Sequence, residues 1–192
     1  MKDFLEPDKK FYQGGKELKL KSGERNITHF WRWAYSDLIQ NITRGVLAEF
    51  LVAWTLDLDY RPRNPWDAYD LKTKDGKRIE VKSTGYLQDW YRNGERPKKI
   101  RPKFVICQTR EWSAENGMQK EPSFNADVYV LCYHKKESFE GLDPMDLNQW
   151  EFWAFTKKEI IKLLDGRKSI SVSQLKKEGF EAININSLIE EV

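Results

Sequence analysis

Histidine and cysteine are scarce in this chain, with two of each in 192 residues. His29, His134, Cys107 and Cys132 are too few and too scattered to suggest a zinc site. Each cysteine falls in an apolar, strand-like run, so both read as reduced core residues, and nothing supports a disulfide between them. No run of about 18 apolar residues suggests a membrane span. The opening MKDFLEPDKK lacks the apolar core of a signal peptide. These absences predict a soluble, cytoplasmic protein. Internal repeats are also missing. The net charge of +3 is too mild to diagnose a partner, so what matters is whether positive charge clusters.

What is present fits one domain with a real core. Aromatic residues make up 14% of the chain, which argues against disorder despite 33% charged residues. Residues 1–26 are polar and rich in Gly and Lys and read as a loose arm; residues 27–192 read as a single domain. From Asn26 to Leu56 the pattern is helical. Leu38, Ile42, Val46, Phe50 and Ala53 recur at three or four residues, with Leu47, Leu51 and Trp54 beside them and Thr28 and Ser36 as N-cap candidates. A Pro-punctuated loop, DLDYRPRNPWDA, follows at 57–68. YDLKT (69–73) and KRIEVKST (77–84) flank KDG, a hairpin signal. KFVICQT (103–109) and ADVYVLCYH (126–134) read as central strands, and EFWAFT (151–156) as another. KKEIIKLLDG (157–166) and SVSQLKKEG (171–179) read as short helices, the second capped by Ser171 or Ser173, and EAININ as a last strand. The whole predicts an α/β or α+β domain around a mixed sheet.

RIEVKST (78–84) puts Glu80 and Lys82 on one strand face and Ile79 and Val81 on the other. Alone, such a triplet is an ordinary solvated face with a weak ion pair. Two further acids sharpen it. Glu49 lies in GVLAEFLVAW, a helix otherwise apolar on nearly every side, where an ionised Glu needs either a solvent seam or a partner such as Arg44. Asp70 opens the first hairpin strand. If KDG is a three-residue loop, residue 73 pairs with 77 and Asp70 stands opposite Glu80. A two-residue turn would pair 70 with 81 and favour Asp67. The three-residue loop makes one compact acidic site. It also places Leu71 and Thr73 on the face of Ile79 and Val81. Opposed like charges destabilise a sheet, and a divalent cation such as Mg²⁺ would compensate.

An Asp, then a hairpin, then Glu-x-Lys, preceded by a helix carrying Glu, resembles the PD-(D/E)xK nuclease superfamily, which includes many restriction endonucleases and Holliday-junction resolvases. The string YDLKTKDGKRIEVKSTGYLQDW is similar to bacterial members whose targets are mostly unassigned. The pattern covers about residues 44–109, roughly half the chain. The resemblance implies a restriction-endonuclease-like αβββαβ core, a mixed central sheet flanked by helices. It further implies Mg²⁺-dependent phosphodiester hydrolysis, with Mn²⁺ able to substitute. Asp70 matches the motif aspartate, Glu80 its second acid, Lys82 its lysine and Glu49 the helical glutamate of many members. Gln108, in the next strand, matches a position often polar in the superfamily. One departure is that no proline directly precedes Asp70; Pro65-Trp66-Asp67 lies just upstream. In this scheme Asp70, Glu80 and Glu49 hold the metal, Lys82 serves the nucleophile or the phosphate, and Gln108 supports them.

Positive charge does cluster. YRNGERPKKIRPK (91–103) carries Arg92, Arg96, Lys98, Lys99, Arg101 and Lys103 against Glu95 alone. Such a run is often a solvated loop. Here it directly follows the candidate active strand, and Trp90, Tyr91 and Trp112 flank it. Basic loops beside aromatics suit phosphate contacts and base stacking. The expected partner is DNA, with RNA left open, and no membrane. Double-strand cutting by one active site would favour a homodimer. The alternatives are a non-catalytic nucleic-acid-binding module on the same fold, and a structural or regulatory protein whose acids are ordinary surface residues.

Overall fold

The computed structural model describes residues 17–20, 23–58, 62–63, 67–94, 99–113 and 117–192. Strand β1 (Glu17–Leu20) pairs antiparallel with β2 (Gly23–Asn26), so the segment read as an arm ends in a hairpin. Residues 1–16 lie outside the described residues.

The single helical stretch expected from Asn26 to Leu56 is two helices, α1 (Ile27–Tyr35) and α2 (Asn41–Thr55). Asn26, not Thr28, caps α1: its side chain accepts from the His29 N–H, and the His29 ring accepts from the Asn26 N–H. Ser36 ends α1 instead of starting α2. The break has a local cause. The Asp37 carboxylate accepts from the Ile39 N–H, a turn that competes with helix, and Ile39 drops into the core. None of the residues of α1 is buried. In α2 the core takes Leu47, Ala48, Leu51 and Val52, while Ile42, Phe50 and Trp54 stay exposed. Two apolar stripes lie side by side on this helix, and packing selects the one that periodicity ranked second.

Strand β3 (Leu71–Lys72) pairs antiparallel with β4 (Arg78–Gly85), Leu71 with Ile79 and Lys72 with Arg78. The Thr73 N–H donates to the Lys77 carbonyl at 2.9 Å, which leaves Lys74, Asp75 and Gly76 as a three-residue loop. Gly76 has φ +97°, a conformation that side chains rarely adopt. The first strand is shorter than the expected 69–73, because the chain bends at 67–70.

The segment at 103–109 is not a central strand. Only β5 (Lys103–Val105) is extended, and it does not join the main sheet. Phe104 and Ile106 are buried while Val105 and Cys107 are exposed, so the run packs on one face only. Cys107 is therefore not the core residue expected, whereas Cys132 is buried. The polar stretch beyond contains a small hairpin, β6 (Trp112–Ser113) with β7 (Gly117–Met118). Next comes β8 (Val128–His134), buried along its whole length. Strand β9 (Trp150–Thr156) follows and leads into α3 (Lys157–Leu164), started by a Thr156–Glu159 capping box. Strand β10 (Ser169–Ser171) pairs antiparallel with β5. Helix α4 (Val172–Lys177) is capped by Ser171. EAININ forms no strand beyond one bridge, Ile183 to Phe152, and the chain closes on α5 (Leu188–Glu191).

The main sheet is mixed, in the order β3-β4-β8-β9, with β4 parallel to β8 and β9 antiparallel to β8. One face packs Ile79, Val81, Val130 and Phe152 against α2; the other packs Leu131, Trp153 and Phe155 against α3 and α4. The result is a mixed α/β fold with helices on both faces of a four-stranded sheet. The parallel crossover from β4 to β8 runs through a 3₁₀ turn (Asp89–Asn93) and short strands, with no α-helix among the described residues.

Candidate active site

The β3–β4 pairing ends at Leu71–Ile79; just before it, in the bend at 67–70, lies Asp70, on which the charge of Glu80 acts. The Asp70 N–H donates to the Ile79 carbonyl at 3.0 Å. Where the β3–β4 ladder ends, the Val81 N–H is bonded by the Asp70 carboxylate at 2.7 Å. The side chain thus replaces the missing strand and is fixed at the open edge of β4. Asp67, the alternative, lies exposed upstream. Burial pushes the Asp70 carboxyl up to about 7, and the charges of Glu80 and Glu49 add to this; the Val81 bond and Lys82 oppose it.

Glu80 and Lys82 are both partly buried and form an ion pair. Burial works against the Lys82 ammonium, but Glu80, Asp70 and Glu49 outweigh it and hold its pKa above the ordinary value. Lys82 is therefore charged at neutral pH, paired with Glu80 and acted on by the charges of Asp70 and Glu49. Strand β4 pairs in parallel with β8, which puts Glu80 beside Tyr129 and Lys82 beside Leu131.

Glu49 reaches the same cluster from α2, with 12% of its side chain exposed. Its partner is not Arg44. The Arg63 guanidinium forks onto it, Nε donating to Oε2 and Nη2 to Oε1, the latter at 2.8 Å. This bond raises the Arg63 pKa, and the charge of Asp70 contributes as well. Arg44 instead turns into the protein, 4% exposed, donating to the Ile39 carbonyl and the Asn41 side chain. Burial lowers its pKa to about 10, with Asp89 acting against the shift. It packs against the end of β4, where a Cβ on Gly85 would lie 3.1 Å from the guanidinium.

Sequence reasoning did not single out Arg63. The available signal was RPR, a cation in a Pro-rich loop just ahead of Asp70.

Gln108 is not in a strand. It follows β5, is exposed, and lines a cleft with Phe124, Ile161, Leu164 and Lys168. No described contact joins it to the acids.

The basic segment is divided. Arg92 forks onto Asp37 at 2.6 and 3.0 Å, tying the 3₁₀ turn to the turn between α1 and α2. That bond lowers the Asp37 pKa, against a burial effect that would raise it. Lys99, Arg101 and Lys103 are exposed, as are Trp90 and Trp112. Arg96 and Lys98 lie outside the described residues.

Among the described residues no group of three or more His, Cys, Asp or Glu side chains is arranged to hold a metal ion. Nor, among them, is any helix long and apolar enough to cross a membrane. No family model matches this chain, and no curated protein matches it.

Proposed function

We propose that this protein is a metal-dependent nuclease hydrolysing phosphodiester bonds in DNA, on a restriction-endonuclease-like core of the PD-(D/E)xK kind. One observation carries the reading: Asp70, held at the edge of β4 by the Val81 N–H, shares its electrostatic surroundings with Glu80, and the same strand presents Lys82 two residues on. Part of the order of elements supports it, since α2 with Glu49 precedes the hairpin and a parallel strand follows, while β5 lies outside the main sheet and no α-helix lies between β4 and β8 among the described residues.

The donor set suits a hard divalent cation. Two carboxylates brought together at the cost of a raised Asp70 pKa are relieved by such an ion. Asp70 and Glu80 would hold Mg²⁺ or Mn²⁺, and two carboxylates suffice, because Mg²⁺ takes its remaining ligands from water and substrate phosphate. When bound, the ion supplies Lewis acidity toward the phosphate and lowers the pKa of a bound water. The rest falls to the chain. The Val81 N–H holds Asp70 in place. Lys82, kept charged by its acidic neighbours, stabilises negative charge growing on the phosphate as the ester bond to the leaving oxygen breaks. Lys99, Arg101 and Lys103, with Trp90, offer phosphate contacts and a stacking surface beyond the end of β4.

A second reading is a nucleic-acid-binding module without cleavage. It draws on the ion pairs that already engage Glu80 and Glu49. The separating experiment is incubation with supercoiled, linear, branched and single-stranded DNA, with Mg²⁺, with Mn²⁺ and with chelator. Metal-dependent cleavage that Asp70→Asn abolishes supports the nuclease. Binding without cleavage in either metal selects the module, and neither binding nor cleavage removes both readings.

A further inference from the structure

We propose that Arg63 is the phosphate-binding arginine of this site, and that Glu49 positions Arg63 instead of ligating metal. The proposal rests on the nuclease reading and departs from the metal role that the resemblance implies for Glu49.

Three observations carry it. First, the fork engages both Glu49 carboxylate oxygens at once, Oε2 by Nε and Oε1 by Nη2. A bidentate Arg–carboxylate pair is the geometry in which both groups are best satisfied, so a cation seeking Glu49 would compete with a guanidinium already engaging both oxygens. Second, the exposure is graded. The Glu49 side chain is 12% exposed and that of Arg63 is 40% exposed, so the carboxylate lies inside and the guanidinium outside. An anion arriving from solvent meets the arginine first. Third, the position fits: Arg63 is paired with Glu49, and the charges of both Glu49 and Asp70 act on it.

Guanidinium chemistry supplies the rest. Arginine carries five N–H donors in a planar fork, and two of them serve Glu49. The remainder, including both on Nη1, can donate to phosphate oxygens without release of the carboxylate. Glu49 then does for Arg63 what a carboxylate does for any partly buried cation: it fixes the orientation and compensates the charge. Arg63 then joins Lys82 as a cation available to the phosphate, and Asp70 with Glu80 remain the acidic pair.

The test uses the full chain and the variants Glu49→Gln, Arg63→Ala, Arg63→Lys and the double variant Glu49→Gln/Arg63→Ala. Calorimetric titration with Mn²⁺, without DNA, should give Glu49→Gln the affinity of the unaltered protein. A loss of about tenfold or more, as removal of a group that supports the metal would produce, overturns the proposal. In DNA cleavage, Arg63→Ala and Glu49→Gln should each lower kcat/KM by roughly a hundredfold, the scale of a lost transition-state donor. The double variant should be no worse than Arg63→Ala, and losses that multiply overturn the proposal. Arg63→Lys keeps the charge without the fork and should recover only part of the activity; full recovery also counts against it. Should Arg63→Ala fail to fold, the double variant, which removes both charges, replaces it. DNA binding in chelator reads Arg63 without cleavage: its loss should reduce the salt slope by about one, and an unchanged slope overturns the proposal. An unaltered protein that binds DNA yet cuts none in Mg²⁺ or Mn²⁺ sinks the nuclease reading, while the slope still decides whether Arg63 meets a phosphate. One that neither binds nor cuts sinks both.

Discussion

The Asp70 carboxylate takes the hydrogen bond of the Val81 N–H at 2.7 Å, in the place where a longer β3 would have put a backbone carbonyl. The edge of β4 is thereby closed by an acidic side chain, on which the charge of a second acid, Glu80, acts. The bond stabilises the ionised form of Asp70, but burial and the neighbouring charges outweigh it. Apo protein therefore carries electrostatic stress at this edge, which the following expectations exploit.

Glu80→Gln should abolish cleavage and leave the thermal midpoint of metal-free protein unchanged or raised. It removes one of the charges that burden Asp70, at the expense of an ion pair with a partly exposed lysine. Lys82→Ala should also abolish cleavage but lower the midpoint, since it leaves Glu80 without its cation beside Asp70 and Glu49. Thermal melts in chelator check both. A strongly lowered midpoint for Glu80→Gln would make that residue structural.

Mn²⁺ should raise the thermal midpoint of the unaltered protein and not that of Asp70→Asn. A ligand that binds only the folded state stabilises it by about 2.7 kcal/mol at a hundred times its Kd. Differential scanning calorimetry across a Mn²⁺ series reads this directly, and an equal rise in both proteins would place the metal elsewhere.

Neutralising Lys98, Lys99 and Arg101 together should weaken DNA binding about equally for different sequences, because phosphate contacts carry no sequence information. The salt slope should fall by roughly one per lost contact. Arg92→Ala should behave differently, lowering stability more than DNA affinity, since its guanidinium is already committed to Asp37. Fluorescence anisotropy at several salt concentrations, paired with melts, separates the two effects.

His134 should make the protein acid-sensitive. It is 3% exposed, stacks edge-on against Trp150, and its Nε2 has no hydrogen-bond partner. Burial lowers its pKa from 6.5 to about 4, with the charge of Arg44 assisting. Between these values the unfolded chain binds a proton that the folded protein does not, so stability rises with pH across that window. The contribution is fully present above about 6.5 and lost as pH falls toward 4, at about 1.4 kcal/mol per pH unit. His134→Gln should flatten this slope in melts from pH 4 to 7. Asp70 titrates in an overlapping range with the opposite sign, so the difference between the two proteins is the quantity to read.

Short-range chemistry decided much of this protein from its sequence alone. KDG set the hairpin register, because a glycine at positive φ closes a three-residue loop and so pairs Leu71 with Ile79. Thr156 with Glu159, and Ser171 with Gln174, started their helices through bonds spanning three residues. The apolar run at 126–134 became the buried central strand because only a strand covered on both faces tolerates so little polarity. Tertiary structure decided the rest, wherever two local readings were equally good. α2 offered two adjacent apolar stripes, and the sheet took the one through Leu47 and Leu51. The run at 103–109 had the composition of a central strand, yet it buried one face and paired with β10, leaving Gln108 in a cleft. Glu49 had Arg44 within a turn or two of its own helix, but Arg44 went to the buried end of β4, and the carboxylate was met by Arg63 from a loop. Turns, caps and periods act over a few bonds and are written in adjacent residues. The choice of partner for a half-buried charge, or of face for a helix, depends on which surfaces the whole chain brings together.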